Sequence, residues 1–167
     1  MLSTKLFREA DDQGKADAQY KLGNLYWLGE GVPQDFAEAV IWYRLAADQG
    51  LAVAQYRLGA MYDHGQGVSR DYSEAAKWYQ LAAEQGNVLA QSNLGLMYQL
   101  GQGVPRDLVA AHRWLSLAAA NGNKDAITNR DAVAARLSSE QLVEWHGTKA
   151  PSFSPELGQI LVQRLGL

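Results

Sequence analysis

Residues 51–86 read LAVAQYRLGAMYDHGQGVSRDYSEAAKWYQLAAEQG, and the same pattern occurs at residues 15–50 and again at residues 87–122. The three stretches share Ala-Gln, Leu-Gly, Gly-x-Gly-Val, Asp, Trp and Ala-Ala at matching positions, so the sequence repeats with a period of 36 residues. Fixed periods of about 20–50 residues are typical of repeat proteins, whose units pack only against their neighbours. The pattern therefore predicts a solenoid built from copies of one structural unit.

The first half of each unit is predicted to be a helix, called helix A, which covers about residues 16–28 in the first repeat. Ala18, Leu22 and Leu25 recur there at helical spacing and form one apolar face. Gly29 follows the last apolar residue, and glycine readily adopts the left-handed conformation that ends helices. We therefore expect the chain to turn at the Gly-x-Gly-Val segment and reverse its direction.

The second half of each unit is predicted to be another helix, called helix B, which covers about residues 36–48 in the first repeat. Asp35 and Glu38 have the spacing of a capping box, in which both side chains bond amides at the start of a helix. The tryptophans of the B helices form one repeat column and are predicted to lie in the core: Trp42, Trp78 and Trp114. Each unit is thus predicted to be a helical hairpin.

The repeats set the predicted domain organisation, in which one all-α repeat domain covers residues 1–146. The expected segments are an N-terminal cap helix at 2–12, repeats at 15–50, 51–86 and 87–122, a C-terminal cap at 123–146, a linker at 147–155 and a C-terminal helix or tail at 156–167. Within the cap, a fourth helix A is predicted at about 124–136. Ser138 and Gln141 then start a short helix at about 139–146. The amphipathic tail either packs across the end of the solenoid or binds a partner.

The composition argues against several classes of function. The 167-residue chain has no cysteine, which excludes disulfide scaffolds, thiolate metal sites and cysteine nucleophiles. Its net charge of −3 lacks the surplus of cations that binding to nucleic acid requires, so nucleic acid is not an expected partner. No apolar run has the length of a membrane span, so membrane insertion is not expected. Since no signal peptide is visible, the chain is predicted to be cytoplasmic as written, whereas a processed form would be periplasmic or secreted.

The sequence contains no pattern that is typical of a catalytic or metal site. His64, His112 and His146 stand in no metal-ligand spacing. The Gly-x-Gly turns lack the Lys-Ser/Thr pair of a phosphate-binding loop, and no nucleophile elbow is present. We therefore predict no cofactor, no metal and no enzymatic activity.

The recurring Ala-Gln-Tyr, Leu-Gly, Met-Tyr, Gly-x-Gly-Val, Asp, Trp-Tyr and Ala-Ala elements resemble the consensus of Sel1-like repeats over about residues 2–137. These repeats are relatives of the tetratricopeptide repeats. The resemblance implies an all-α fold, a right-handed α-α superhelix, that serves as an adaptor between proteins. A cysteine-rich branch of the family is associated with penicillin binding and weak β-lactam hydrolysis, and this chain departs from that branch because it has no cysteine.

The columns that change between repeats are the candidates for partner binding, because columns that keep their identity form the core. The resemblance implies that the A helices line the concave surface of the superhelix. The predicted partner-binding groove consists of Lys21, Asn24, Trp27, Leu28, Arg57, Ala60, Asp63, His64, Asn93, Leu96, Gln99, Leu100 and Asn129. Of these, Trp27 is predicted either to be exposed to a partner or to pack in the ordinary way.

One column of the groove suggests the chemistry of the partner. It contains one polar residue per repeat: Lys21, Arg57, Asn93 and Asn129. Lysine and arginine bind carboxylates, and asparagine can bond an extended peptide backbone through its donor and acceptor groups. The column predicts a groove for an extended, partly acidic protein segment, and the alternative is that these side chains are merely solvated.

The sequence thus predicts a non-enzymatic scaffold or adaptor that binds a protein segment or domain in the groove. A close variant is a dedicated inhibitor or immunity partner of one enzyme or toxin. The alternative is binding or weak hydrolysis of β-lactam or peptidoglycan fragments, as the cysteine-rich branch would imply. The expected partner is another protein, and the chain is expected to be a monomer, with a dimer formed through the tail as the alternative.

Overall fold

The structure, a computed structural model, describes residues 15–138 and Gln141. Residues 15–138 form seven α-helices and no β-strand: α1 Ala16–Leu28, α2 Phe36–Asp48, α3 Ala52–His64, α4 Tyr72–Glu84, α5 Val88–Leu100, α6 Leu108–Ala120 and α7 Lys124–Ala134. Helices α1, α3, α5 and α7 are the A helices, and α2, α4 and α6 are the B helices. The predicted all-α fold of repeated helical hairpins is confirmed.

Contacts between helices divide the chain into two compact units, and each is described by itself. Unit 1 extends to Asn87 and contains α1 to α4, whereas unit 2 begins at Val88 and contains α5 to α7. In unit 1 each helix packs against the next one along the chain. In unit 2, α6 packs against both α5 and α7, and α5 also contacts α7. Short loops join the paired helices, which therefore run antiparallel.

An aspartate caps the start of each B helix. The Oδ1 atom of Asp35 accepts hydrogen bonds from the backbone N–H groups of Ala37 and Glu38, at 2.9 and 3.1 Å. Asp71 and Asp107 form the same pair of bonds at the starts of α4 and α6. Each aspartate satisfies two amides that have no partner within the helix, which stabilises the helix start by about 1 kcal/mol.

The prediction that the Glu38 side chain bonds the backbone N–H of Asp35, as in a complete capping box, is wrong. The backbone N–H of Asp35 donates to the carbonyl oxygen of Tyr26 in the last turn of α1, at 2.9 Å, so it needs no bond from Glu38. The equivalent bond between the two helices recurs in the other two hairpins. Since this bond comes from the backbone, the third hairpin keeps its Asp107 cap although Ala110 replaces the glutamate.

Each of the first three A helices ends at a glycine, as predicted. Gly29 has a φ of 74°, and its N–H donates to the carbonyl oxygen of Leu25 at 2.8 Å. Gly65 and Gly101 have φ values of 69° and 72° at the same position. The fourth A helix, α7, ends at Ala134, slightly before the predicted end, and no glycine follows it there.

A glycine in the middle of each of the first three A helices allows a side chain of helix B to approach the helix backbone directly. Tyr43 is fully buried, and a Cβ atom at Gly23 would lie 2.5 Å from Cδ1 of its ring. The same arrangement joins Gly59 to Tyr79 in the second hairpin and Gly95 to Leu115 in the third. Only a residue without a side chain fits at this position, so the Leu-Gly element is explained by close packing of the helices.

The tryptophan column is only partly buried and lies at the edge of the core, which corrects the prediction. Trp42, Trp78 and Trp114 are half-buried, whereas Tyr43 and Tyr79 are fully buried. Successive residues of a helix point about 100° apart, so only one of two neighbouring rings can face the glycine of the partner helix. The tyrosine does so, and the tryptophans of unit 1 cover the edges of its apolar clusters.

Buried glutamines link the helices of unit 1. Nε2 of Gln49 donates to Oε1 of Gln19 at 2.6 Å, and Nε2 of Gln85 donates to Oε1 of Gln55 at 2.7 Å. Nε2 of Gln55 also donates to the carbonyl oxygen of Ala47, at 3.2 Å. These bonds satisfy polar groups that would otherwise be costly to bury, which explains why a glutamine follows the alanine in both A helices of unit 1.

Several predicted elements lie outside the described residues: the N-terminal cap helix at 2–12, the linker at 147–155 and the C-terminal helix or tail at 156–167. Of the short helix predicted at 139–146, only Gln141 is described. The N–H of Ser138 donates to Oε1 of Gln141 at 3.0 Å, and the N–H of Gln141 donates to Oγ of Ser138 at 3.2 Å. These two bonds form the reciprocal cap that the Ser138 and Gln141 spacing predicts.

The contact between glycine and tyrosine can be tested by a double-mutant cycle. We expect Gly59→Ala to lower the free energy of unfolding by about 2 kcal/mol, because the new Cβ would lie 2.8 Å from the buried Tyr79 ring. Tyr79→Ala removes the ring, so the losses of the two single variants should not add in the double variant. Urea denaturation of all four proteins measures this coupling, and strictly additive losses would argue against direct contact.

A second prediction compares two glycines at the same position of the turn. Gly31 and Gly67 have φ values of 73° and 70°, but a Cβ at Gly67 would overlap the carbonyl oxygen of Phe36, whereas nothing lies within 4 Å of one at Gly31. We expect Gly31→Ala to lower the free energy of unfolding by about 1–2 kcal/mol, because alanine is strained in the left-handed backbone conformation. Gly67→Ala should lower it by about 2 kcal/mol more, because of the overlap. Equal losses in parallel urea titrations would contradict this explanation.

Candidate functional site

Unit 1 holds eight of the predicted groove residues, on α1 and α3. Three of them are exposed: Lys21, Leu28 and His64. The other five are half-buried: Asn24, Trp27, Arg57, Ala60 and Asp63. None of the eight is buried, so the faces of α1 and α3 that carry them are accessible surface.

Arg57 and Trp27 form a pair that joins α1 to α3. The Cζ atom of Arg57 lies over the indole ring of Trp27, 5.3 Å from its centroid. At this distance the cation is attracted by the electron-rich face of the ring. Trp27 also packs against the apolar core of unit 1, so it is neither fully exposed nor an ordinary core residue.

Asn24, the groove residue that precedes Trp27 in the predicted set, accepts a hydrogen bond from the buried tyrosine of the first hairpin. The hydroxyl of Tyr43 donates to Oδ1 of Asn24 at 2.7 Å, and the ring of Tyr20 lies 5.8 Å from that of Tyr43. A buried hydroxyl without an acceptor would be costly, so Asn24 has a role in the fold as well as on the surface. Tyr43 was not among the predicted groove residues, because its column indicated only core packing.

In the second hairpin, a different groove residue accepts the hydrogen bond from the hydroxyl of the buried tyrosine. The hydroxyl of Tyr79 donates to Oδ2 of Asp63 at 3.2 Å, whereas Ala60 stands where the first hairpin has Asn24. The changes between repeats at these two columns are therefore partly explained by the choice of acceptor. Only the third hairpin, with Leu115 in place of the tyrosine, needs no acceptor there.

The remaining groove residues of unit 1 present simpler surroundings. Nδ1 of His64 donates to the carbonyl oxygen of Ala60 in its own helix, at 2.9 Å. Lys21 has no hydrogen-bond or ion-pair partner among the described residues. Leu28, at the C-terminal end of α1, exposes 50% of its surface.

Unit 2 holds the other five groove residues. Asn93, Leu96 and Gln99 on α5 are half-buried, Leu100 is exposed, and Asn129 on α7 is half-buried. Three leucines of α5 offer apolar surface at helical spacing, since Leu89 is exposed as well. The predicted column of polar residues thus divides into a cationic pair in unit 1 and an amide pair in unit 2.

Several acidic side chains of the hairpins serve the fold. Among the described residues, no group of three or more His, Asp or Glu side chains is placed to hold a metal ion. The aspartates of the hairpins have structural tasks, because Asp35, Asp71 and Asp107 cap helices and Asp63 accepts the bond from Tyr79. What the A helices present is a surface of cations, amides and leucines.

The repeats match a known family. The model described as Sel1 repeat matches residues 16–51, 52–87 and 88–123, more than half of the chain. The chain belongs to the Sel1 repeat family. Sel1 repeats generally act as non-catalytic scaffolds that mediate interactions between proteins. No described helix of this Sel1 repeat protein is long and apolar enough to cross a membrane.

Solved structures of bacterial proteins are similar to this Sel1 repeat chain. A Sel1 repeat protein from Oxalobacter formigenes is 40% identical with a TM-score of 0.71, and the match covers 77% of this chain and 96% of that one. A protective antigen of uropathogenic Escherichia coli strains, which displays an SLR fold, is 52% identical with a TM-score of 0.70. That match covers 72% of this chain and 26% of the antigen, so this chain spans about a quarter of the antigen's length.

A more distant structure shares the fold alone. Helicobacter pylori cysteine rich protein B is 21% identical with a TM-score of 0.57, and the match covers 77% of this chain and 96% of that one. A comparison with curated protein sequences finds no match.

Burial of Tyr43 leads to a prediction about alkaline pH. Burial raises the pKa of Tyr43, and the nearby charge of Arg57 opposes that rise only in part. The unfolded chain therefore loses this proton at a lower pH than the folded chain does, so stability should fall as the pH rises above about 10. We expect the fall to be shallower in Tyr43→Phe, by up to about 1.4 kcal/mol per pH unit. Urea denaturation at pH 9, 10 and 11 measures both slopes, and identical slopes would contradict the prediction.

Proposed function

We propose that this chain is a scaffold that binds an extended segment of a partner protein along the accessible faces of the A helices of unit 1, α1 and α3. The observation that supports the proposal most is the state of two cations in unit 1. Lys21 and Arg57 have no ion-pair or hydrogen-bond partner among the described residues. A half-buried cation such as Arg57 gives up part of its hydration, and an acidic group supplied by a partner would offset that loss.

The surface around these cations has the mixed character of a peptide-binding face. Because Arg57 on α3 reaches Trp27 on α1, the two A helices of unit 1 contribute to one surface. Leu28 on α1 and Val53 on α3 are 50% and 41% exposed, and they add apolar contact area. A segment with acidic and aliphatic side chains would find both kinds of partner on this face.

The proposal is tested with a displayed library of random peptides. Peptides enriched on the parent protein are synthesised and titrated calorimetrically against the parent, Lys21→Glu and Lys77→Glu. Lys77 is the matched control, because it is exposed in the same unit but lies on a B helix, where it pairs with Glu74 at 2.5 Å.

We expect Lys21→Glu to weaken binding about tenfold or more, equivalent to about 1.4 kcal/mol, because a like charge would then face the acidic peptide. Lys77→Glu should leave the affinity within about twofold, since an exposed pair contributes little. Failure of any peptide to be enriched, or equal losses in both variants, would contradict binding along the A helices.

A further inference from the structure

The Arg57 side chain is held in place but its donors are unused. Its guanidinium lies over the Trp27 ring, with Cζ 5.3 Å from the centroid, and Arg57 is half-buried. Among the described residues the guanidinium has no hydrogen bond and no ion pair. Contact with the ring limits the loss of side-chain entropy on binding, and the N–H groups at the edge of the guanidinium remain available to an acceptor.

Asn24 adds a donor of fixed orientation on the face of α1 that carries Trp27. It lies three residues before Trp27, so both side chains are on the same face of α1. Its Oδ1 accepts the hydroxyl of Tyr43 at 2.7 Å, and the Nδ2 group is therefore the end that is left to bind a ligand. Arg57 reaches this face of α1 from α3, because its guanidinium lies over the Trp27 ring.

Nothing described in unit 1 neutralises this group of donors. The carboxylate on the same helix as Arg57, that of Asp63, accepts the hydroxyl of Tyr79. The second hairpin does not reproduce the site, because Ala60 and Asp63 stand where the first has Asn24 and Trp27. The combination of Asn24, Trp27 and Arg57 is therefore not repeated in the second hairpin, where Asp63 puts a negative charge in the column of Trp27.

We propose that Arg57 and Asn24 bind one carboxylate of the partner segment, the side chain of an aspartate or glutamate, with Trp27 holding the guanidinium in position. This inference rests on the proposed scaffold function and names the group that the scaffold recognises. The planar guanidinium matches the two oxygens of a carboxylate, and the amide supplies a further N–H. One cation and one amide balance the single negative charge of a carboxylate better than the nearly double charge of a phosphate.

The test uses a small probe whose binding does not depend on the rest of a partner. A blocked Gly-Glu-Gly tripeptide is titrated into the full chain, and the indole N–H of Trp27 and the side-chain amide of Asn24 are followed by NMR. The Gly-Gln-Gly tripeptide and inorganic phosphate, at matched ionic strength, are the comparison ligands. We expect saturable shifts at both groups with the glutamate peptide, with a Kd on the order of millimolar, and weaker shifts with the other two ligands.

Three variants separate the roles of charge and geometry. Arg57→Gln should weaken binding of the glutamate peptide at least about tenfold. Arg57→Lys should recover only part of that affinity, because lysine cannot bond both carboxylate oxygens side by side. Arg70→Gln is the matched control, because Arg70 is exposed in the same unit and its Cζ lies 5.3 Å from the centroid of the Tyr72 ring, but it is not one of the predicted groove residues. Its affinity should remain within about twofold of the parent.

The outcomes distinguish this inference from the scaffold function. Unchanged binding in Arg57→Gln, equal binding of the glutamine peptide, or tighter binding of phosphate would overturn the carboxylate site. If library peptides bind the parent and Arg57→Gln equally well, the scaffold function stands and the carboxylate site is wrong. If the glutamate tripeptide binds as expected but no library peptide does, the site stands and the scaffold function is wrong.

Discussion

The packing of a helix B side chain directly on a glycine of helix A is the contact on which the rest of each hairpin depends. A Cβ at Gly23 or Gly59 would lie within 2.5 or 2.8 Å of a fully buried tyrosine ring. The two helices can approach only because this side chain is missing, and their proximity allows the backbone bond from the capping aspartate to the end of helix A. Close packing thus explains both the invariant Leu-Gly element and the way each turn is closed.

Burying the tyrosine ring has a consequence for the surface. The hydroxyl of Tyr43 needs an acceptor, and Asn24 supplies it from the accessible side of α1. In the second hairpin Asp63 supplies the acceptor for Tyr79 instead. The two repeats therefore satisfy the same demand of the core with different surface chemistry: an amide on the face of α1 whose Trp27 ring lies under Arg57, and a carboxylate on α3. Fold and proposed recognition are connected through these hydroxyl groups.

Much of the fold could be predicted from the sequence because its signals are local or periodic. The ends of α1 and α2 match the predicted bounds, since glycine and aspartate act within one or two turns of the residues they end or cap. The repeat also identified which columns change and hence which faces are candidates for binding. The repeat could not show whether Trp42 or Tyr43 is the core residue, because the two side chains are both large and apolar and are adjacent in the sequence. Only the direction of the neighbouring helix decides which of them is fully buried.

The sequence by itself determined the number, length and order of the helices in the repeats, because a 36-residue period, helix caps and helical spacing are properties of neighbouring residues. Only the tertiary structure decided how the surface residues are combined. Arg57 and Trp27 are 30 positions apart and belong to different columns, so no periodicity pairs them. The packing of the three successive helices α1, α2 and α3 nevertheless brings the guanidinium over the indole. The physical reason is that contacts between helices depend on the direction in which each side chain leaves its helix and on what already occupies the space, and neither is recorded in spacing along the chain.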